Sequence, residues 1–150
     1  MSGWARSLTG ARGIHCAVAA VLAAVLGTLL FAVTAQDARR TVRDGVFSAA
    51  QAARGERLFD SICTNCHELT ELTAAGAYLD SMNGKPLWET FDYVSSDMPE
   101  DDPGSLRPDE YAAVLAYLFS MYGLPSGERD LPVDRESLEA IAIVRPSAGS

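Results

Sequence analysis

The sequence predicts an all-α fold for a single domain, and three observations favour it. Apolar residues recur at helical intervals along 49–62 and 87–94, and residues 108–122 form a continuous stretch of good helix formers with clear boundaries. No segment alternates apolar and polar residues as a half-buried strand does, and no internal repeat is present. The length of 150 residues leaves room for one domain.

The first 35 residues differ from the rest of the chain. Arg6 and Arg12 precede the uncharged apolar stretch 16–35, and Val33-Thr34-Ala35 ends it with residues that suit a signal peptidase. The stretch also has the length of a membrane-spanning helix. Residues 1–35 are therefore predicted to be a signal peptide or an N-terminal membrane anchor, with membrane contact through 14–35. Both alternatives place the domain outside the cytoplasm, in the periplasm or anchored on the periplasmic face.

The first predicted helix follows Ser48, a good N-cap residue, and continues through Phe59 towards Cys63. Gly55 and Phe59 lie on its apolar face, so we expect this face to pack against another helix. Residues 36–47 mix charge and glycine without a sustained period and are predicted to form a tether.

Two further helices are predicted, with a loop between them. Leu87–Val94 is amphipathic with Pro86 as its first helical residue, and 97–105 contains two prolines and four acids, which favours a loop. The last helix begins at Pro108 and ends before Gly123. We assign the domain to 48–131 and a C-terminal tail without clear period to 132–150.

The charge balance argues against nucleic-acid binding. The chain has 20 acidic and 12 basic residues, a net charge of −8, whereas phosphate recognition needs clustered Lys and Arg. Residues 89–110 contain only Arg107 against eight acids. Two interpretations stay open: a docking surface for a basic partner, or an ordinary solvated surface. The acids are Glu89, Asp92, Asp97, Glu100, Asp101, Asp102, Asp109 and Glu110.

The motif Cys63-Thr64-Asn65-Cys66-His67 predicts covalent attachment of one haem c. Each cysteine sulfur can add to a haem vinyl group, and His67 then lies beneath the iron as an axial ligand. A structural zinc site would lack further Cys or His ligands in the folded part, because the other histidine and cysteine, His15 and Cys16, lie in the leading segment. A thioredoxin-type redox pair would require a βαβ context that the sequence lacks.

The second axial position separates an electron carrier from a haem with open iron. Met98 is the preferred candidate, because it lies in the predicted loop and Pro99 stiffens its approach. Met82 and Met121 are the alternatives, Met82 as a possible loop anchor and Met121 as a packing residue of the last helix. Trp88 and Lys85 are candidate donors to haem propionates, although core packing and solvation explain them as well.

The sequence resembles the class I c-type cytochromes from about residue 46 to 131. The spacing of Gly55, Phe59 and the 63–67 motif matches that family, as does the stretch 114–118 in the last helix. The resemblance implies a small cytochrome c fold with crossing N- and C-terminal helices and haem in the core. Segments 44–55 and 98–106 are similar, more narrowly, to single-haem cytochromes that partner quinoprotein dehydrogenases.

The resemblance implies single-electron transfer by a carrier that is not itself an enzyme. Its expected partners are redox proteins, with a periplasmic dehydrogenase as donor and an oxidase or cytochrome as acceptor. The alternatives are a non-catalytic subunit of a membrane complex and a ligand-binding haem. The chain departs from the family in lacking a proline between His67 and Pro86, whose carbonyl usually accepts a hydrogen bond from the axial histidine. Segment 74–77 offers other carbonyls, and the sequence leaves the partner of His67 unassigned.

Overall fold

The computed structural model describes residues 39–145. The predicted signal peptide or anchor over 1–35 lies outside the described residues. In the described part, no helix has the length and apolar character needed to cross a membrane.

The described residues form a mainly helical domain, as the sequence predicts. Short strands lie near its two ends and a 3₁₀ turn follows the first helix. In chain order the elements are β1 (Arg40–Thr41), α1 (Ala49–Ile62), the 3₁₀ turn (Cys63–Asn65), α2 (Leu69–Thr73), α3 (Tyr78–Ser81), α4 (Leu87–Asp97), α5 (Pro108–Met121), α6 (Arg135–Glu139) and β2 (Ile141–Ala142).

The three longer helices agree with the predicted ones, with small differences at their ends. Ser48 caps α1, since its side chain accepts a hydrogen bond from the backbone N–H of Gln51 at 3.0 Å. Pro86 is the N-cap of α4 rather than its first helical residue, and α4 continues to Asp97. At the end of α5, Gly123 adopts a φ of 82°, a left-handed conformation that suits glycine and ends the helix.

Helices α1 and α5 cross in direct backbone contact. A Cβ atom added to Gly55 would lie 1.8 Å from the carbonyl oxygen of Ala113, so the crossing has room only for glycine. One turn further along α1, the rings of Phe59 and Tyr117 are 5.5 Å apart and tilted by 53°. The predicted packing of Gly55 and Phe59 against the last helix is confirmed.

The segments flanking the predicted domain belong to its core. The sequence suggested a tether over 36–47, yet Val42 and Phe47 are fully buried. The predicted tail contains α6 and β2, and Leu138 and Ile141 are buried as well. These corrections have one physical reason: β1 and β2 pair in parallel, and the apolar residues beside them belong to the same core cluster.

Side-chain hydrogen bonds hold the C-terminal segment to α1. The buried amide of Gln51 accepts from the N–H of Leu131 at 2.6 Å and donates to its carbonyl at 3.3 Å. Next to it, Asp130 accepts hydrogen bonds from Ser48 and from Arg54. The Ser48 hydrogen bond, followed by that of Arg54, lowers the pKa of the Asp130 carboxyl.

We expect Gly55→Ala to destabilise the domain by about 3 kcal/mol or more, because the new methyl group would meet the backbone of α5. Because alanine is a better helix former than glycine, helix propensity alone would make the Gly55→Ala variant more stable than the wild type. Guanidinium titration of the haem-loaded protein measures the difference. In the control, Ala53→Gly at an exposed position of α1, the loss should be only about 1 kcal/mol. Equal or higher stability of Gly55→Ala would contradict the observed crossing.

Candidate haem site

A cavity of about 380 Å³ lies between the end of α1, the loop after α4 and the face of α5. Its volume is within the usual range for cofactor sites, and such sites combine apolar walls with a few placed polar groups. Apolar side chains form most of its walls. They are Phe59, Ile62, Leu72, Leu79, Val94, Pro99, Leu106, Val114, Leu115 and Leu118.

The Cys63–His67 motif lines this cavity directly after α1. The chain leaves the helix in a 3₁₀ turn in which the carbonyl of Cys63 accepts from the N–H of Cys66 at 3.1 Å and of His67 at 2.9 Å. This tight turn brings Cys63, Cys66 and His67 to the same cavity. The two cysteines do not form a disulfide, so both sulfurs can react with a haem; Cys66 is exposed, and burial raises the pKa of the half-buried Cys63 thiol before attachment.

The expected hydrogen-bond acceptor for the His67 ring is not found among residues 39–145. Two carbonyls of segment 74–77 instead accept local backbone bonds: that of Ala74 from Ala77 at 2.9 Å, and that of Ala77 from Asp80 at 3.0 Å. Those bonds build the turn before α3. The proposal that this segment replaces the family's proline carbonyl is therefore not supported by the described contacts.

The three candidate methionines lie in different environments. Met98 lines the cavity together with His67. Met82 is buried in the core, outside the cavity lining, and Met121 is 50% exposed on the last turn of α5. Of the three methionines in the described region, Met98 is therefore the one that lines the cavity together with the motif.

Three tyrosines that were not predicted from the sequence also line the cavity: Tyr78, Tyr93 and Tyr111. The rings of Tyr78 and Tyr93 are 6.0 Å apart, and burial raises the pKa of the Tyr78 hydroxyl. Tyr111 is almost completely buried. No local sequence pattern marks these residues, since they reach the cavity from three different helices.

Trp88 and Lys85 are not among the lining residues of the cavity. The ring of Trp88 packs on Phe91 at 5.8 Å, and the guanidinium of Arg135 lies 5.4 Å from its centroid. The ammonium of Lys85 is 3.7 Å from a carboxylate oxygen of Glu89. Of the two interpretations given above, the contacts favour packing for Trp88 and a solvated surface position for Lys85.

Of the eight acids of 89–110, three form ion pairs, two line the cavity, and Asp92, Asp97 and Asp102 are exposed outside the lining. Glu89 pairs with Lys85, while Asp109 and Glu110 pair with Arg107 at 3.0 Å each. In contrast, Glu100 and Asp101 are exposed and belong to the cavity lining. Within the cavity lining, the acidic side chains are therefore those of these two residues, and we call them the rim acids.

The cavity suits a covalently attached haem. Two thiols and an imidazole stand together at one wall, a thioether side chain belongs to the same lining, and the remaining walls are mostly apolar. This donor set matches a c-type haem, whose macrocycle is apolar and whose iron binds imidazole and thioether ligands. The fold and the cavity together are consistent with a c-type cytochrome domain.

Comparison with known families supports this class. Residues 50–118 match the family model described as "Cytochrome C oxidase, cbb3-type, subunit III", a stretch a little under half of the chain. The match supports a c-type cytochrome with covalently bound haem c and its iron as the cofactor, and it supports haem-based electron transfer. Neither the curated proteins nor the solved structures include a significant match.

The double variant Cys63→Ser/Cys66→Ser should lose covalent haem, because no thiol of the motif remains to form a thioether. Mass spectrometry of the denatured protein measures this: the wild type should retain the mass of one haem. Each single variant should keep at most one thioether. Thr64→Ser, at an exposed position between the two cysteines, is the control and should leave attachment unchanged. Retention of haem by the denatured double variant would contradict the site.

Proposed function

We propose that this chain transfers single electrons outside the cytoplasm through one haem c held by Cys63, Cys66, His67 and Met98. The observation that carries the proposal is that all four side chains line one cavity, although Met98 is distant in sequence from the 63–67 motif. Bound there, haem c supplies an iron centre that accepts or releases one electron.

Each of the four residues has its own role in the proposal. Cys63 and Cys66 would anchor the cofactor through thioether bonds, while His67 and Met98 would bind its iron. A thioether ligand favours the ferrous state and raises the reduction potential. The apolar walls limit water around the site, which also affects the potential. A carrier with both axial positions filled has no open iron for catalysis, and we therefore propose no enzymatic role.

The proposed location is the periplasm or the periplasmic face of the membrane. Its support is the leading sequence, in which two arginines precede an uncharged apolar stretch before the domain. A periplasmic dehydrogenase is the proposed donor, and an oxidase or another cytochrome is the proposed acceptor. The similarity of segments 44–55 and 98–106 to partners of quinoprotein dehydrogenases supports the donor.

A second candidate is a non-catalytic cytochrome subunit of a membrane complex. The description of the matching model, a subunit of a cytochrome oxidase, favours it. In that case the apolar stretch 16–35 would be retained as an anchor. Co-purification of the full chain with a membrane complex would support this candidate, and recovery of the mature protein from the periplasmic fraction would support the free carrier.

Replacement of Met98 tests the proposed coordination. Wild-type ferric protein should show the far-red charge-transfer band of methionine-ligated haem, and Met98→Ala should abolish it. The ferrous variant should bind carbon monoxide readily, and its potential should fall by a substantial part of the roughly 0.8 V range that axial ligands control.

Met121→Ala is the control for the methionine variant, since Met121 is half exposed and not part of the cavity lining. Its spectrum should equal that of the wild type. A charge-transfer band that survives in Met98→Ala, or rapid carbon monoxide binding by the wild type, would contradict coordination by Met98.

We expect the rim acids to steer a basic partner to the cavity mouth, since Glu100 and Asp101 are exposed there. Stopped-flow electron exchange with a positively charged single-haem cytochrome should slow as salt increases. Glu100→Gln/Asp101→Asn should slow it several-fold at low salt. Glu128→Gln/Glu136→Gln removes the same charge from exposed positions outside the cavity lining and should change the rate less. Equal effects of the two pairs would show that only net charge matters.

A further inference from the structure

Tyr111 makes a contact that the proposed coordination does not use. It belongs to the first turn of α5, it is 3% exposed, and it lines the haem cavity. Its hydroxyl donates a hydrogen bond to the backbone carbonyl of Met98 at 2.7 Å. The N–H of Leu106 donates to the same hydroxyl at 3.4 Å. One phenol thus contacts the loop between α4 and α5 near both of its ends.

The backbone of Met98 is held from two helices. Its N–H donates to the carbonyl of Val94 at 3.2 Å, which makes Met98 the C-cap of α4. Its carbonyl accepts from Tyr111 of α5. Both polar backbone groups of Met98 are therefore bonded, one to each helix that borders the loop. The position from which its thioether extends is defined by this pair of bonds.

Other backbone bonds of the loop are internal to it. The carbonyl of Pro99 accepts from the N–H of Asp102 at 3.0 Å, and the carbonyl of Asp102 accepts from Ser105 at 3.3 Å. Such bonds shape the loop but do not place it relative to the cavity. The Tyr111 hydroxyl connects the loop to the body of the domain, and its burial keeps competing water away from the bond.

We propose that Tyr111 is a positioning residue that keeps the Met98 thioether on the haem iron by holding the Met98 carbonyl. The proposal rests on the coordination by His67 and Met98 proposed above. Without the hydroxyl, the Met98 carbonyl loses its partner and the loop moves more freely relative to α5. The thioether then leaves the iron more often, and an added ligand can replace it.

Tyr111→Phe tests the proposal, because it removes the hydroxyl and keeps the buried ring. Imidazole is added to the ferric protein in a stopped-flow instrument, and loss of the charge-transfer band is followed. Replacement of the methionine should be about 2- to 10-fold faster in the variant, as expected from one lost buried hydrogen bond. The reduction potential should shift downwards, because the ferrous state loses part of its thioether stabilisation.

Tyr117→Phe is the matched control, since it removes a hydroxyl from the same helix. Tyr117 is buried against Phe59, and within residues 39–145 its hydroxyl makes no hydrogen bond. Its imidazole exchange rate and potential should equal those of the wild type. Guanidinium titrations of both variants show whether a faster exchange reflects general loosening of the domain.

The outcomes distinguish failure of this proposal from failure of the coordination. If the wild type lacks the charge-transfer band, Met98 is not the ligand and both proposals are overturned. If the wild type has the band but Tyr111→Phe exchanges imidazole at the wild-type rate, only the role of Tyr111 is overturned. Equal acceleration in Tyr117→Phe would also overturn it, because the effect would then not depend on the Met98 carbonyl.

Discussion

The crossing of α1 and α5 at Gly55 is the constraint on which the haem site depends. The backbone of α5 comes so close that no side chain fits at this position of α1. Two turns later α1 ends at Cys63, where the attachment motif begins. The first turn of α5 carries Tyr111, which bonds the carbonyl of Met98. The contact between the two helix backbones therefore helps to place the backbone of both proposed iron ligands, His67 and Met98.

The C-terminal segment of the domain also helps to hold α1 and α4 in place. The C-terminal segment is bonded to α1 through Gln51 and Leu131, and it reaches the start of α4 through two backbone bonds. In these, the carbonyl of Ile143 accepts from Gly84 at 2.7 Å, and the N–H of Ile143 donates to Lys85 at 2.9 Å. Since α4 leads into Met98, the C-terminal segment helps to place the helix from which the ligand loop departs.

The longer helices and the attachment motif could be predicted because their signals are local. Periodic apolar residues, capping residues and the close spacing of Cys63, Cys66 and His67 all lie within one or two turns of chain. The short helices, the two-residue strands and the burial of Val42 could not be predicted, since they depend on contacts between the two ends of the domain.

Met98 was predicted because it lies in a loop and precedes Pro99, and the cavity lining agrees with that prediction. The bond from Tyr111 has no sequence signal, because it joins residues of two elements through one hydroxyl and one carbonyl. The expected carbonyl for the His67 ring was an inference from a family pattern that this chain lacks. In the described structure, the carbonyls of Ala74 and Ala77 accept the backbone hydrogen bonds of a turn.

The most direct test of the His67/Met98 iron is a proton NMR spectrum of the reduced protein with isotope-labelled methionine methyl groups. A methionine bound to ferrous haem lies over the macrocycle, so its methyl signal moves far upfield of the others. Coordination by Met98 predicts one such signal, which should be present in Met82→Leu and Met121→Leu and absent from Met98→Leu. An upfield signal that persists in Met98→Leu, or its absence from the wild type, would contradict the account.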